Sequence, residues 1–203
     1  TGNSVWLSFV VGAIVASFTG LSYAELATMI PKAAAEYVYL RKAGSKMLGF
    51  LIGWLIIFTG VASAATVALG FGGYFKGLFG LPIVFTAAAL IGILSYINFL
   101  GIKQSSRFNV IFTAVEITGL VIVIVLGLTV FGKAEVNYFE MSNGTKGILA
   151  AAALVFFAYI GFEDIANISE ETRNPRKVLA KAFILAVVIT TLLYVFTSLA
   201  AVS

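Results

Sequence analysis

The chain has 203 residues, of which 61% are hydrophobic and only 11% charged, against about 45–50% and about 25% in a typical soluble domain. With a mean hydropathy of +1.06, this is neither a water-soluble globule nor a disordered chain. Cys and His are both absent, so there is no disulfide framework, no thiolate nucleophile, no usual zinc ligand and no neutral-pH proton shuttle. Metal hydrolysis and Ser-His-Asp chemistry are disfavoured accordingly. The formal +4 charge sits in too charge-poor a background for a nucleic-acid module.

Charges fall in tight clusters separated by six apolar stretches, at 5–24, 48–69, 81–101, 108–131, 147–165 and 178–202. Each is long enough to cross a hydrocarbon core of about 30 Å, which takes roughly 20 helical residues. The stretches are apolar on every face, whereas barrel strands alternate over about ten residues. The expectation is an all-α polytopic membrane protein with six transmembrane helices in one domain over residues 1–203.

Cations set the expected orientation, because cytoplasmic loops retain Lys and Arg. Lys32, Arg41, Lys42, Lys46, Lys103, Arg107, Arg173, Arg176, Lys177 and Lys181 collect on one side, leaving Lys76, Lys133 and Lys146 on the other. Loops 32–46, 102–107 and 166–177 are therefore expected in the cytoplasm, with the chain in the plasma membrane or cell inner membrane. The first span then runs inward from outside, and a chain entering it directly at Thr1 predicts a further helix upstream.

The glycine-rich 70–80 stretch reads as a turn-rich outer connection and 132–146 as a longer polar outer loop. Asn143-Gly144-Thr145 fits a glycosylation sequon, a pattern short enough to arise by chance. The inner 32–46 segment mixes cations with Tyr37, Val38, Tyr39 and Leu40, and reads as an amphipathic headgroup helix or a plain loop. Asn174-Pro175 reads as an N-cap followed by proline at the first helical position, opening the sixth span.

The fifth span carries the most information. Phe156-Phe157-Ala158-Tyr159-Ile160-Gly161-Phe162-Glu163-Asp164 sets a glycine just before two acids in an apolar run. A carboxylate at depth costs roughly 2.5–3.5 kcal/mol on translocon scales, so such a group faces a cavity, stays protonated or lies at headgroup level. Glycine among aromatics also suits a helix broken at mid-membrane, whose freed carbonyls and amides match the ammonium and carboxylate of an amino acid. The alternative is that Gly161 allows close helix packing.

Four pieces of sequence bear on that choice. Ser22-Tyr23-Ala24-Glu25-Leu26-Ala27-Thr28-Met29-Ile30-Pro31-Lys32, then Tyr37-Val38-Tyr39, then Phe157-Ala158-Tyr159-Ile160-Gly161-Phe162-Glu163, then Ser169-Glu170-Glu171-Thr172-Arg173-Asn174-Pro175-Arg176-Lys177 resemble, in order and spacing, the amino acid-polyamine-organocation (APC) superfamily of permeases. The resemblance is nearest to the cationic amino acid transporter-like branch and covers essentially the whole chain. It implies that the six spans are helices two to seven of a twelve-helix, LeuT-like inverted repeat, with half of the substrate site on an absent first helix.

The resemblance further implies that the backbone of Ala158, Tyr159, Ile160 and Gly161 holds the substrate's ammonium group, with Phe157 as the gating aromatic. Glu163 matches a position where some relatives use a proton-linked carboxylate. Glu116, in mid-span, is a second proton-coupling candidate or a structural pair. Many relatives carry Lys there in place of a sodium ion, and this sequence departs from them.

Weaker candidates are Glu25, expected in an interfacial ion pair with Lys32, and Thr59, Ser63 and Thr66, which line the substrate path or bond between helices. Gly53, Gly60 and Ala64 read as packing positions. The function implied is secondary active transport of amino acids by alternating access, proton-coupled and sodium-independent. The partners are an amino acid substrate, protons and the bilayer, with no nucleic acid, no cofactor and no metal. A membrane enzyme would need nucleophiles or metal ligands gathered at one depth, and a channel would need charge rings or a carbonyl filter. Neither pattern is visible. A non-transporting fragment or structural membrane domain of such a permease stays open, because half of the binding site is absent.

Overall fold

The computed structural model describes residues 1–132 and 136–203. Lys133, one of the three cations expected on the outer side, lies outside the described residues. Among those described, every regular element is a helix. Five stretches are long and apolar enough to cross a membrane: Gly2–Met29, Lys46–Phe79, Ile102–Val130, Gly144–Asn167 and Pro175–Ala201. The protein is an all-α polytopic membrane protein, and it carries many large exposed hydrophobics, such as Phe50, Phe58 and Leu78, as membrane helices do.

Helix α1 spans Val5–Met29 and stops at Ile30, since the residue before Pro31 is pushed out of the helical region. Ala34, left-handed at φ 52°, then leads into the short helix α2, Ala35–Lys42, within the segment read as headgroup helix or loop. Helix α3 covers Lys46–Phe79, its start capped by the Ser45 side chain accepting from the Leu48 amide. It is 34 residues long, about 51 Å at 1.5 Å per residue.

That length corrects the expected outer loop at 70–80. Phe71, Phe75 and Phe79 stack in sequence, with centroids 5.3 and 4.5 Å apart, and the helix ends only at left-handed Gly80, whose amide bonds Lys76 O. Helix α4, Ile83–Phe99, has 17 residues, about 25 Å, and is the short member of the set. Gly101, at φ 110°, turns the chain directly into α5, Ile102–Val130. Residues 102–107, expected as an inner loop, are helical.

Helix α6, Gly144–Val155, gives way to a 3-10 turn at Phe156–Tyr159 before a short α7, Asp164–Asn167. A second 3-10 turn at Ser169–Glu171 leads to α8, Pro175–Ala201. Pro175 opens α8 as expected, but the Asn174 side chain makes no cap bond. Its backbone is left-handed at φ 58°, and it is the Asn174 carbonyl that accepts from Lys177 and Val178.

Two compact units can be separated, Thr1–Ala43 with Ile117–Ser203, and Gly44–Glu116. In the first, α1 packs chiefly on α8 and then on α6. The reason lies in a buried stripe of small residues along α1: Ser8, Gly12, Ala16, Gly20 and Ala24, spaced four apart and hence on one face. A Cβ at Gly20 would sit 3.3 Å from a Val187 methyl, so glycine sets how closely α8 approaches.

The start of α1 is sewn to segment 138–148. Trp6 Nε1 donates to Tyr138 O at 2.9 Å, Ser4 Oγ to Glu140 O at 2.8 Å, and buried Ser8 Oγ to Ile148 O at 3.1 Å. Its other end sits in a cluster of Ala24, Ala27, Ala35, Ala166, Leu179 and Phe183. There Tyr23 donates to Glu36 at 2.7 Å and the Ala35 amide to Asn167 Oδ1 at 3.3 Å. Lys32 pairs with Glu170 at 3.1 Å, not with Glu25. Both partners are half-exposed, so the pair contributes little stability.

In the second unit α3 packs on α4, closest at Gly72, where a Cβ would come within 2.6 Å of Ile83 O. Thr59 and Thr66 turn their hydroxyls back to Leu55 O and Ala62 O, at 2.9 and 2.8 Å. They satisfy themselves within their own helix instead of bonding to another. A Cβ at Gly60 would meet nothing within 4 Å, so that glycine is not at a packing contact.

Candidate functional site

The break in the fifth span can be followed one backbone group at a time. In an unbroken helix each amide bonds the carbonyl four residues back. Here the 3-10 turn shifts that register, so Ile160 N bonds Phe157 O at 3.2 Å. Ile160 is extended at φ −66°, ψ 140° and Gly161 lies at φ 119°. A Cβ at Gly161 would meet nothing within 4 Å. Glycine is needed for the backbone conformation, which side-chain-bearing residues rarely adopt, and not for helix packing.

Two groups orphaned by the break find side-chain substitutes. The Gly161 amide, which would have bonded Phe157 O, donates to Glu163 Oε2 at 2.8 Å. The Ala158 carbonyl, which would have accepted from Phe162, accepts from the Tyr194 hydroxyl at 2.9 Å. Gly161 O accepts from Asp164 N at 3.2 Å. Among the described residues this leaves the carbonyls of Tyr159 and Ile160 and the amides of Phe162 and Glu163 without a partner.

Tyr159, Ile160 and Phe162, though not Glu163, line a cleft of about 300 Å³, at the small end of ligand sites. Ala158, Tyr159, Ile160 and Gly161 form one wall, and Ala186, Val187, Thr190 and Tyr194 of α8 the other, with Phe162 and Ile165 below. Tyr159 as a whole is 4% exposed, its hydroxyl donates to Phe9 O at 3.0 Å, and its ring lies against Gly12, where a Cβ would sit 3.3 Å from Cε2. Phe157, half-exposed, is not among the cleft-lining residues.

Glu163 is thus placed at the turn, with its carboxylate on the Gly161 amide. Glu116 stands exposed in the middle of α5, with no ion pair or side-chain hydrogen bond among the described residues. Outside the spans, burial pushes the Tyr39 hydroxyl pKa up from 10.0, with the nearby Glu36 charge adding to the shift. Tyr194, Thr190, Phe9 and Gly12 join the site only through packing. The four-residue spacing of Ser8, Gly12, Ala16 and Gly20 was the one signal pointing to a tightly packed α1. Tyr194 had none, because it meets Ala158 only in three dimensions.

Comparison with known proteins gives this geometry a family. The profile of the amino acid permease family matches residues 1–203. The branched-chain amino acid permease BcaP of Bacillus subtilis is 33% identical over 218 residues, covering 97% of this chain and 47% of the relative. The methylthioribose transporter of the same organism is 30% identical, covering 98% and 47%. The vacuolar cationic amino acid transporter 4 of Arabidopsis thaliana is 30% identical, covering 98% and 37%. The chain therefore spans about half the length, or less, of these curated relatives, which are named as permeases and transporters rather than enzymes. With a matching profile along its whole length and the interrupted helix described above, the chain belongs to the amino acid permease family of the APC superfamily.

Proposed function

We propose that this chain carries part of the substrate path of a secondary transporter that moves amino acids by alternating access, coupled to protons and independent of sodium. The observation that carries the reading is the break at Phe156–Glu163, which leaves the carbonyls of Tyr159 and Ile160 unpaired beside a cleft. Unpaired carbonyls within an apolar span cost free energy, and a substrate ammonium group offsets that cost by donating to them. In this reading Ala158 and Gly161 shape the site, and Phe157 gates it by changing its exposure.

The chain is read as one transmembrane domain with six spans, α4 included, in the plasma membrane or cell inner membrane, with its cation-rich ends in the cytoplasm. Glu163 and Glu116 are the candidates for carrying the proton. The test is uptake of labelled leucine and labelled lysine by the full-length protein in proteoliposomes, with and without an inward proton gradient. Gradient-driven uptake supports the reading, and the preferred label separates branched-chain from cationic substrates. No uptake of any amino acid sinks it. Glu163→Gln keeps an acceptor for the Gly161 amide while removing the charge, so unchanged pH-dependent uptake in that variant would remove Glu163 as the proton carrier and leave Glu116.

A further inference from the structure

Helix α8 forms the second wall of the cleft, and one of its side chains reaches across to the unwound backbone. Tyr194 donates to Ala158 O at 2.9 Å. Its ring stands edge-on to Tyr159, with centroids 5.4 Å apart at 75°, and tilts against Phe9 at 5.6 Å. Tyr159 closes the triangle by donating to Phe9 O at 3.0 Å. Three elements, α1, the 3-10 turn and α8, are thereby tied at one point next to the unpaired carbonyls of Tyr159 and Ile160.

The chemistry of that contact is substitution. Ala158 O has lost the amide that a continuous helix would supply, and the phenol hydroxyl stands in for it. Fixing that oxygen fixes the peptide plane between Ala158 and Tyr159, and so narrows the φ and ψ freedom from which the following carbonyls take their direction. A carbonyl bears two lone pairs, so the bond to Tyr194 does not prevent Ala158 O from facing a ligand as well.

We infer that Tyr194 is a positioning residue of the substrate site: its hydroxyl replaces the missing helical donor and aims the Tyr159 and Ile160 carbonyls into the cleft. The inference rests on the transport reading above for what binds there, but the held backbone can be observed without any substrate.

Tyr194→Phe keeps the ring contacts with Phe9 and Tyr159 and removes only the donor. In the full-length protein, two measurements decide. Hydrogen exchange of the Ile160 and Gly161 amides, the two in the turn that are hydrogen-bonded, is expected to accelerate about tenfold, the worth of roughly one hydrogen bond, with α1 and α3 unchanged. KM for leucine uptake is expected to rise by a similar factor, with Vmax within about twofold and no change in inhibition by 4-methylpentanoate, which lacks the ammonium group.

Unchanged exchange at Ile160 and Gly161 overturns the inference, as does an equal loss toward leucine and 4-methylpentanoate, which marks a general structural defect. If the wild-type protein takes up no amino acid, the transport reading fails while the exchange result still decides on Tyr194. Should Tyr194→Phe not fold, Tyr194→p-aminophenylalanine, which restores ring and donor together, decides instead: wild-type exchange and KM support the inference, and raised values overturn it.

Discussion

Two spans of this chain carry glycine in apolar surroundings and treat it in opposite ways. Helix α3 holds Gly49, Gly53, Gly60, Gly70, Gly72, Gly73 and Gly77 and stays helical across all 34 residues. The stretch from α6 to α7 holds Gly161 and comes apart around it. Glycine content therefore does not decide where a membrane helix breaks. An unmade backbone bond in hydrocarbon costs several kcal/mol, and in α3 the helical ladder runs unbroken past its glycines. The broken span has replacements on both sides, Glu163 for the Gly161 amide and Tyr194 for the Ala158 carbonyl. A break forms where side chains stand in for the lost ladder.

Substitution at the two kinds of glycine tests that contrast. Gly161→Ala is expected to have the largest effect, because alanine is strained at φ 119° by about 1–3 kcal/mol, and uptake should fall more than tenfold. Thermal unfolding with and without substrate, alongside transport assays, checks it. An unaffected variant would mean that the turn is not held as described. Glu163→Ala, which removes the acceptor of the Gly161 amide, should cost about 1 kcal/mol, read as a lower melting temperature that Glu163→Gln largely restores. If Gln and Ala behave alike, the side chain is not a cap. Gly60→Ala in α3 should be the mildest change and of opposite sign, a gain of up to about 1 kcal/mol from better helix propensity with uptake unchanged. A loss there would mean that α3 also depends on its glycines.

Much of the fold was legible because the bilayer reduces it to length and hydropathy. The apolar runs became helices, and Gly161 beside Glu163 marked the interrupted one. What escaped was set by bonds that leave no local trace. The Glu163 carboxylate reaching back to the Gly161 amide, and Tyr194 reaching Ala158 from 36 positions away, have no periodic signature. The glycines of 70–80 resemble turn residues and point to a loop, whereas Phe71, Phe75 and Phe79 at four-residue spacing carry the helical signal. Thr59 and Thr66 lie on one face, but a hydroxyl bonding its own helix and one bonding a neighbour look the same in sequence.

By itself, then, the sequence determined that this is a helical membrane protein and which span is interrupted, since each follows from the cost of placing charge and unpaired backbone in hydrocarbon. Only the tertiary structure decided which backbone groups the break leaves open. That choice depends on donors and acceptors brought together by packing: Gly12 making room for the Tyr159 ring, α8 delivering Tyr194, and Glu163 closing the turn. What is left over is the carbonyls of Tyr159 and Ile160 and the amides of Phe162 and Glu163.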